Sequence, residues 1–105
     1  MASTVSTHVL DAALGRPATG VAVRLERADG SVLAAARTDA DGRVADLGPA
    51  GGGIHRLVFD TGEWFAAAGR ETFYPAVVVT FTLGEGHHHV PLLLSPYAYS
   101  TYRGS

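Results

Sequence analysis

Residues 77–94 read VVVTFTLGEGHHHVPLLL, and the alternation of their apolar side chains decides the fold. Val77, Val79, Phe81 and Leu83 are separated by Val78, Thr80 and Thr82. That period of two turns one face of a β-strand toward a core and the other toward water. The pattern resumes over residues 87–94, where Val90, Leu92 and Leu94 share a face with His88 while His87, His89, Pro91 and Leu93 point the other way. A short last strand is predicted over residues 97–102.

Upstream, Val21, Val23 and Leu25 alternate with Ala22, Arg24 and Glu26, giving another strand with one apolar face. An Asp29-Gly30 turn leads to a hairpin partner over residues 31–38, in spite of its alanine run, and an Asp41-Gly42 turn leads to a short strand over residues 43–46. Residues 54–60 read as a strand. Near the start, Val5, Thr7 and Val9 share one face, with Ser6, His8 and Leu10 opposite, so that His8 and His89 both fall off the more apolar faces of their strands. Residues 47–53, with Pro49 and three consecutive glycines, read as a loop that does not pack. It is a poor phosphate cradle, because neither GK[ST] nor a helix-opening GxGxxG follows. The run TGEWFAAAG at residues 61–69 predicts a helix of about two turns, with Thr61 as N-cap, a nearby Glu63 and a terminating Gly69.

About eight strands and one helix in 105 residues leave no room for βαβ crossovers, so an all-β antiparallel sandwich is expected, formed by one domain over residues 1–105. Cysteine, lysine, asparagine and glutamine are absent, which excludes disulfides, thiolate metal sites, thiol nucleophiles, Schiff-base lysines and N-glycosylation. A net charge of −2 offers no basic footprint for nucleic acid or an acidic membrane. With 17% charged and 47% hydrophobic residues, some surface is expected to be buried against further copies of the chain. There is no apolar run of membrane-span length, no basic-then-apolar secretory start and no peroxisomal tail, so a cytoplasmic protein is the default expectation.

The chemistry-bearing residues are few. His87 and His89 are strand neighbours on one face, the geometry of two metal ligands, with His8 or His55 as a third. Spacing alone leaves three readings open: a zinc site, a metal-free catalytic cluster, and solvated histidines. Arg43 follows a turn, where a solvated charge and a ligand-gripping one read alike. Arg103 lies in the terminal STYRGS, and no Asp or Glu occurs from Gly86 to Ser105, so an anionic ligand is one way to satisfy it; a disordered tail is the other reading. Trp64, Phe65, Phe73 and Tyr74 read as core or edge packing rather than a binding box. Tyr97, Tyr99 and Tyr102 suit an interface as well as a pocket. Ser100 lacks a GxSxG elbow.

Four stretches carry a resemblance across nearly the whole chain in order. They are STHVLDAALGRPA at residues 6–18, the TDADGR turn ending in Arg43, FDTGEWF at 59–65 and HHHVPLLLSPYAYSTYRGS at 87–105. Together they resemble the transthyretin-like family and, within it, the branch of hydrolases that act on 5-hydroxyisourate, of which the terminal YRGS is the specific mark. The resemblance implies an eight-stranded sandwich with one short helix, assembled as a homotetramer with active sites where dimers meet. It implies hydrolysis of 5-hydroxyisourate to 2-oxo-4-hydroxy-4-carboxy-5-ureidoimidazoline in urate catabolism, with no cofactor and no metal. Matched residue by residue, the catalytic histidines fall on His8 and His89 and the substrate-gripping arginine on Arg43, while Tyr102, Arg103, Gly104 and Ser105 add to substrate binding. His88 stands at the middle of the H-x-H, where many relatives carry another residue, and its strand parity points it away from His89. Transthyretin proper, a carrier of a hydrophobic hormone, shares the sandwich without that tail and is the alternative reading. In the hydrolase reading one imidazole takes a proton from water as general base, assigned to His89 with His8 as partner, the reverse division also being open. Arg43 and Arg103 would hold the anionic ring.

Overall fold

The computed structural model describes residues 3–105. It comprises ten strands and one helix in two sheets. In chain order these are β1 (Ser3–Asp11), β2 (Arg16–Pro17), β3 (Ala22–Arg27), β4 (Val32–Arg37), β5 (Arg43–Val44), β6 (Pro49–Ala50), β7 (Gly53–Phe59), α1 (Thr61–Ala67), β8 (Val77–Leu83), β9 (Gly86–Ser95) and β10 (Ala98–Thr101). One sheet runs β10-β9-β1-β2, with β5 and β6 also paired to β1; the other runs β4-β3-β7-β8. No helix among the described residues is long and apolar enough to cross a membrane.

The alternation read from the sequence is the one that packs. Val5, Val9, Leu92 and Leu94 of the first sheet meet Val23, Leu25, Leu57, Phe59 and Val77 of the second, all at most 2% exposed. Each such side chain contributes on the order of 1.5–3 kcal/mol by leaving water. On β8, an edge strand, only Val77 and Leu83 are fully buried, while Val79 and Phe81 are partly open.

Three features depart from the sequence reading. The pairing of β1 with β9 is parallel over nine residue pairs, Ser3 with Gly86 through Asp11 with Leu94, whereas every other pairing is antiparallel. Nearly the whole chain serves as the connection, so the crossover length that parallel strands require sets no limit here, and period-two alternation carries no strand direction. Residues 47–53 do pack: Pro49 and Ala50 pair with Thr4 and Ser3, and Leu47 and Ala50 join the core. The outer edge of β1 would otherwise bury unpaired backbone groups, and it takes its partners piecewise from β6, Leu47, β5, Gly42 and β2. Finally, Thr61 does not cap the helix. Asp60 occupies the N-cap without a side-chain cap bond, because its carboxylate takes Arg24 at 3.3 Å, and Thr61 Oγ1 instead donates to the Tyr74 carbonyl at 3.4 Å. Gly69, at φ 67°, follows the helix as expected. Of the aromatic group, Phe65 is core, whereas Phe73 is 72% exposed and packs edge-to-face on Tyr74 at 5.1 Å.

The end of β1 is fixed by one buried ion pair. Asp11, 1% exposed, accepts from Arg70 Nη1 at 2.6 Å and from the N–H groups of Leu14 at 2.9 Å and Ala13 at 3.1 Å. Burial alone would raise its pKa, but the Arg70 hydrogen bond, the two backbone donors and the Arg70 charge outweigh that and hold the carboxyl below its ordinary value. The Arg70 guanidinium in turn lies over the Phe65 ring, 4.8 Å from its centroid. Asp11→Ala is expected to cost about 3 kcal/mol, the low end for a broken buried pair because Arg70 is partly solvated. A urea unfolding midpoint unchanged from wild type would contradict this.

Candidate active site

The outer face of the first sheet gathers the polar residues that the core does not use. In the parallel register Thr4 lies beside His87, Ser6 beside His89 and His8 beside Pro91; on the other flank of β1, Arg43 lies opposite His8. Cross-strand partners share a face, so His8, Arg43, His87 and His89 form one patch. His8 and His89 are separated by one strand spacing and two residues of rise, about 8 Å between backbones.

A tight turn delivers Arg43. The Asp39 carboxylate accepts the N–H groups of Asp41 and Arg43, both at 2.9 Å, and Gly42 adopts φ 76°. A Cβ at Gly42 would lie 2.4 Å from the Val9 carbonyl oxygen, so only glycine lets the turn press against β1. The Arg43 side chain is exposed and, like that of Arg103, has no carboxylate partner among the described residues.

Hydrogen bonds orient the imidazoles. His8 Nε2 is 2.8 Å from the Asp41 carbonyl oxygen, which can only accept, so Nε2 carries a proton and donates it, while Nδ1 lies outside that bond. His89 engages Ser6 Oγ through Nδ1 at 2.8 Å, and Nε2 has no hydrogen-bond partner among the described residues. Burial, and then the charges of Arg43, His8 and His87, hold the His89 pKa below the ordinary imidazole value. His89 is thus disposed to be neutral, as a general base near neutral pH must be. His55, weighed above as a third metal ligand, lies in the second sheet, buried, with Nδ1 2.9 Å from the Gly53 carbonyl oxygen, and cannot join His87 and His89. No group of three or more metal-ligating side chains occurs among the described residues.

The tail folds back along β9. Gly104 N–H donates to the His89 carbonyl at 2.9 Å, and a Cβ on Gly104 would meet His89 Cδ2 at 2.6 Å, so glycine is what lets the tail lie on that ring. Tyr102 and Arg103 line, together with His89, a cleft of about 580 Å³ between β8 and the tail, to which Val79, Phe81, Glu85 and His88 also contribute. No hydrogen bond joins their side chains to His8, Arg43 or His89 among the described residues, and Ser105 is exposed beyond them. His88 is turned to the cleft, as its parity predicts: Nε2 accepts the Gly84 N–H at 3.3 Å, and Nδ1 is buried without a partner among the described residues.

The model of the HIUase/Transthyretin family matches residues 5–104. The chain belongs to this family. Among its members, the 5-hydroxyisourate hydrolase of Caulobacter vibrioides is 50% identical over 115 residues, covering 98% of this chain and 99% of its own. Of the solved family structures, Klebsiella pneumoniae 5-hydroxyisourate hydrolase superposes with a TM-score of 0.93 at 47% identity, covering 98% of this chain and 99% of its own. Sea bream transthyretin in complex with thyroxine gives a TM-score of 0.87 at 33% identity, over 95% of this chain and 93% of its own. The all-β family sandwich anticipated from the sequence is therefore the fold of this chain.

Some of the polar groups on this face have no motif of their own in the sequence. Ser6, Thr4 and the Asp41 carbonyl orient the imidazoles, yet none stands out in the chain as a reactive group. The one available signal was parity: Thr4, Ser6 and His8 form an unbroken polar row on one face of a strand whose other face is buried.

Proposed function

We propose that this chain hydrolyses 5-hydroxyisourate to 2-oxo-4-hydroxy-4-carboxy-5-ureidoimidazoline, with His8, Arg43 and His89 as the catalytic residues and Tyr102, Arg103, Gly104 and Ser105 completing the substrate site. The observation that carries the reading is the convergence of His8, Arg43 and His89 on one sheet face, with the glycine of the YRGS tail lying on the His89 ring. The relatives named above supply the substrate class.

A planar, electron-poor cyclic amide already has a susceptible carbonyl and lacks only a positioned nucleophile. His89 Nε2 takes a proton from water as the water oxygen bonds to the carbonyl carbon, and Arg43 stabilises the oxyanion and the anionic ring by charge-assisted hydrogen bonds. The carbon–nitrogen bond then breaks, the leaving nitrogen gaining a proton as the ring opens to a carboxylate. His8, with its Nε2–H committed to Asp41, places the water through Nδ1. Arg103 and Tyr102 grip the far side of the ring. The patch is open on this chain, and a second copy in a homotetramer is the natural roof, excluding bulk water from the charges. The reading carries with it one domain over residues 1–105, no metal or cofactor, and a cytoplasmic place of work.

Ultraviolet monitoring of freshly generated 5-hydroxyisourate tests it. Catalytic amounts of the protein are expected to speed the decay far beyond the buffer rate. Decay at the buffer rate, with the ligand bound but unchanged, would return the carrier reading.

A further inference from the structure

The patch contains a connected row of polar groups that the mechanism above leaves unused. Thr4 Oγ1 lies 2.7 Å from His87 Nδ1, His87 Nε2 lies 2.8 Å from Ser6 Oγ, and Ser6 Oγ lies 2.8 Å from His89 Nδ1. Ser6 is buried at 8% exposure, whereas His87 is exposed. Ser6 has one hydroxyl proton and sits between two ring nitrogens, so it can donate to one only and must accept from the other. The tautomers of His87 and His89 are thereby tied to each other.

Amide hydrolysis needs such an exit. Water brings two protons; one ends on the leaving nitrogen, and the other is released once the acid ionises to carboxylate. We infer that Ser6 and His87 form a proton relay that carries this second proton from His89 to solvent, with Ser6 as the positioning residue that holds His89 in the Nδ1–H tautomer. This inference rests on the hydrolase reading above.

The steps balance. At the start His89 Nδ1–H donates to Ser6 Oγ, Ser6 O–H donates to His87 Nε2, and His87 Nδ1–H donates to Thr4 Oγ1. When His89 Nε2 accepts a proton from water, its Nδ1 proton passes to Ser6 Oγ as the Ser6 proton passes to His87 Nε2. His89 is left neutral with its proton on Nε2, and the positive charge rests on His87, which gives a proton to water. His89 Nε2–H then protonates the leaving nitrogen, and the acid so formed gives its proton to the vacated Nε2 and becomes the carboxylate; one proton is thus on nitrogen and one in solvent, and exchange of Nε2–H for Nδ1–H through water restores the first state.

The direction follows from the surroundings. The positively charged and titratable groups facing His89 are Arg43 and His8 across β1 and His87 on its own strand; Arg103 and Glu85 line, with His89, the cleft beside the tail, and no carboxylate bonds to its ring among the described residues. A charge on half-buried His89 is opposed by burial and by Arg43; on exposed His87, two residues farther along β9, water solvates it.

The test compares wild type with Ser6→Ala, Ser6→Thr and His87→Gln, with circular dichroism confirming the fold of each. Ser6→Ala is expected to lower kcat by about 10- to 100-fold, the usual effect of losing a group that orients an imidazole, with KM changed less than about twofold, and Ser6→Thr, which keeps the hydroxyl, to restore most of it. His87→Gln is expected to lose kcat in dilute buffer and to recover it when imidazole is added as an external proton acceptor. Long-range proton–nitrogen correlation spectra should show His89 as the Nδ1–H tautomer in wild type and as a mixture in Ser6→Ala. Wild-type kcat in Ser6→Ala, or an Nε2–H resting tautomer of His89, would overturn the relay. The spectra report on the relay whether or not turnover is seen, and an inactive wild type would count against the hydrolase reading alone.

Discussion

Replacing His89 by alanine is expected to lower kcat for 5-hydroxyisourate by about 10²- to 10⁴-fold, the range that a positioned general base contributes. His89 is a half-buried imidazole, its Nδ1 bonds Ser6, and its Nε2 is left for substrate water. His8→Ala should fall in the same range if His8 holds that water, since misplacing the nucleophile forfeits the benefit of a bound geometry. Wild-type decay rates in either variant would remove the acid-base pair. The pH profile carries a second check. Burial first, then Arg43, His8 and His87, depress the His89 pKa. The neutral base is therefore populated down to a pH below the ordinary imidazole range, and kcat should rise on the acid side of that range and level off by about pH 7. The linked effect on stability has a definite sign. As pH falls from the unfolded imidazole pKa toward the depressed folded one, the unfolded state binds the proton and the folded state does not. Stability therefore declines with falling pH in that window, and His89→Ala should flatten the decline.

Deleting residues 103–105 is expected to reduce turnover at least about 10³-fold while leaving the fold intact, as charge-stabilising and water-excluding groups are lost together. The deletion removes Arg103, the Gly104 N–H bond to the His89 carbonyl and the backbone that lies on the His89 ring. It removes nothing from the hydrophobic core, which draws its last member from Leu94. The thermal midpoint should therefore stay within a few degrees of wild type, a shift of about 1 kcal/mol or less. A fully active truncated chain would reduce the tail to packing. Loss of the folded state would show that the tail is structural.

The strands that build the core were legible because burial on one face and solvent on the other write a period of two into the chain. Val77 to Leu83 and Val90 to Leu94 show it plainly, and both read correctly. The candidate site was legible in part for the same reason: His8 and His89 were polar residues in strands and off the apolar faces, and the family resemblance assigned them roles. Ser6 and Asp41 were not legible. A serine beside a histidine in the next strand is a matter of register, and a carbonyl acceptor belongs to every residue, so neither leaves a mark in the order of amino acids.

Local chemistry alone determined which side chains face inward, where glycine ends the helix, and that no thiol or lysine chemistry is available. Those properties depend on near neighbours in the chain, whose spacing the sequence records. The tertiary structure decided that β1 and β9 run parallel, that residues 49 and 50 close the edge of β1, and that Ser6 links His87 to His89. These depend on which distant segments satisfy one another's backbone groups, a choice made by the whole chain folding at once.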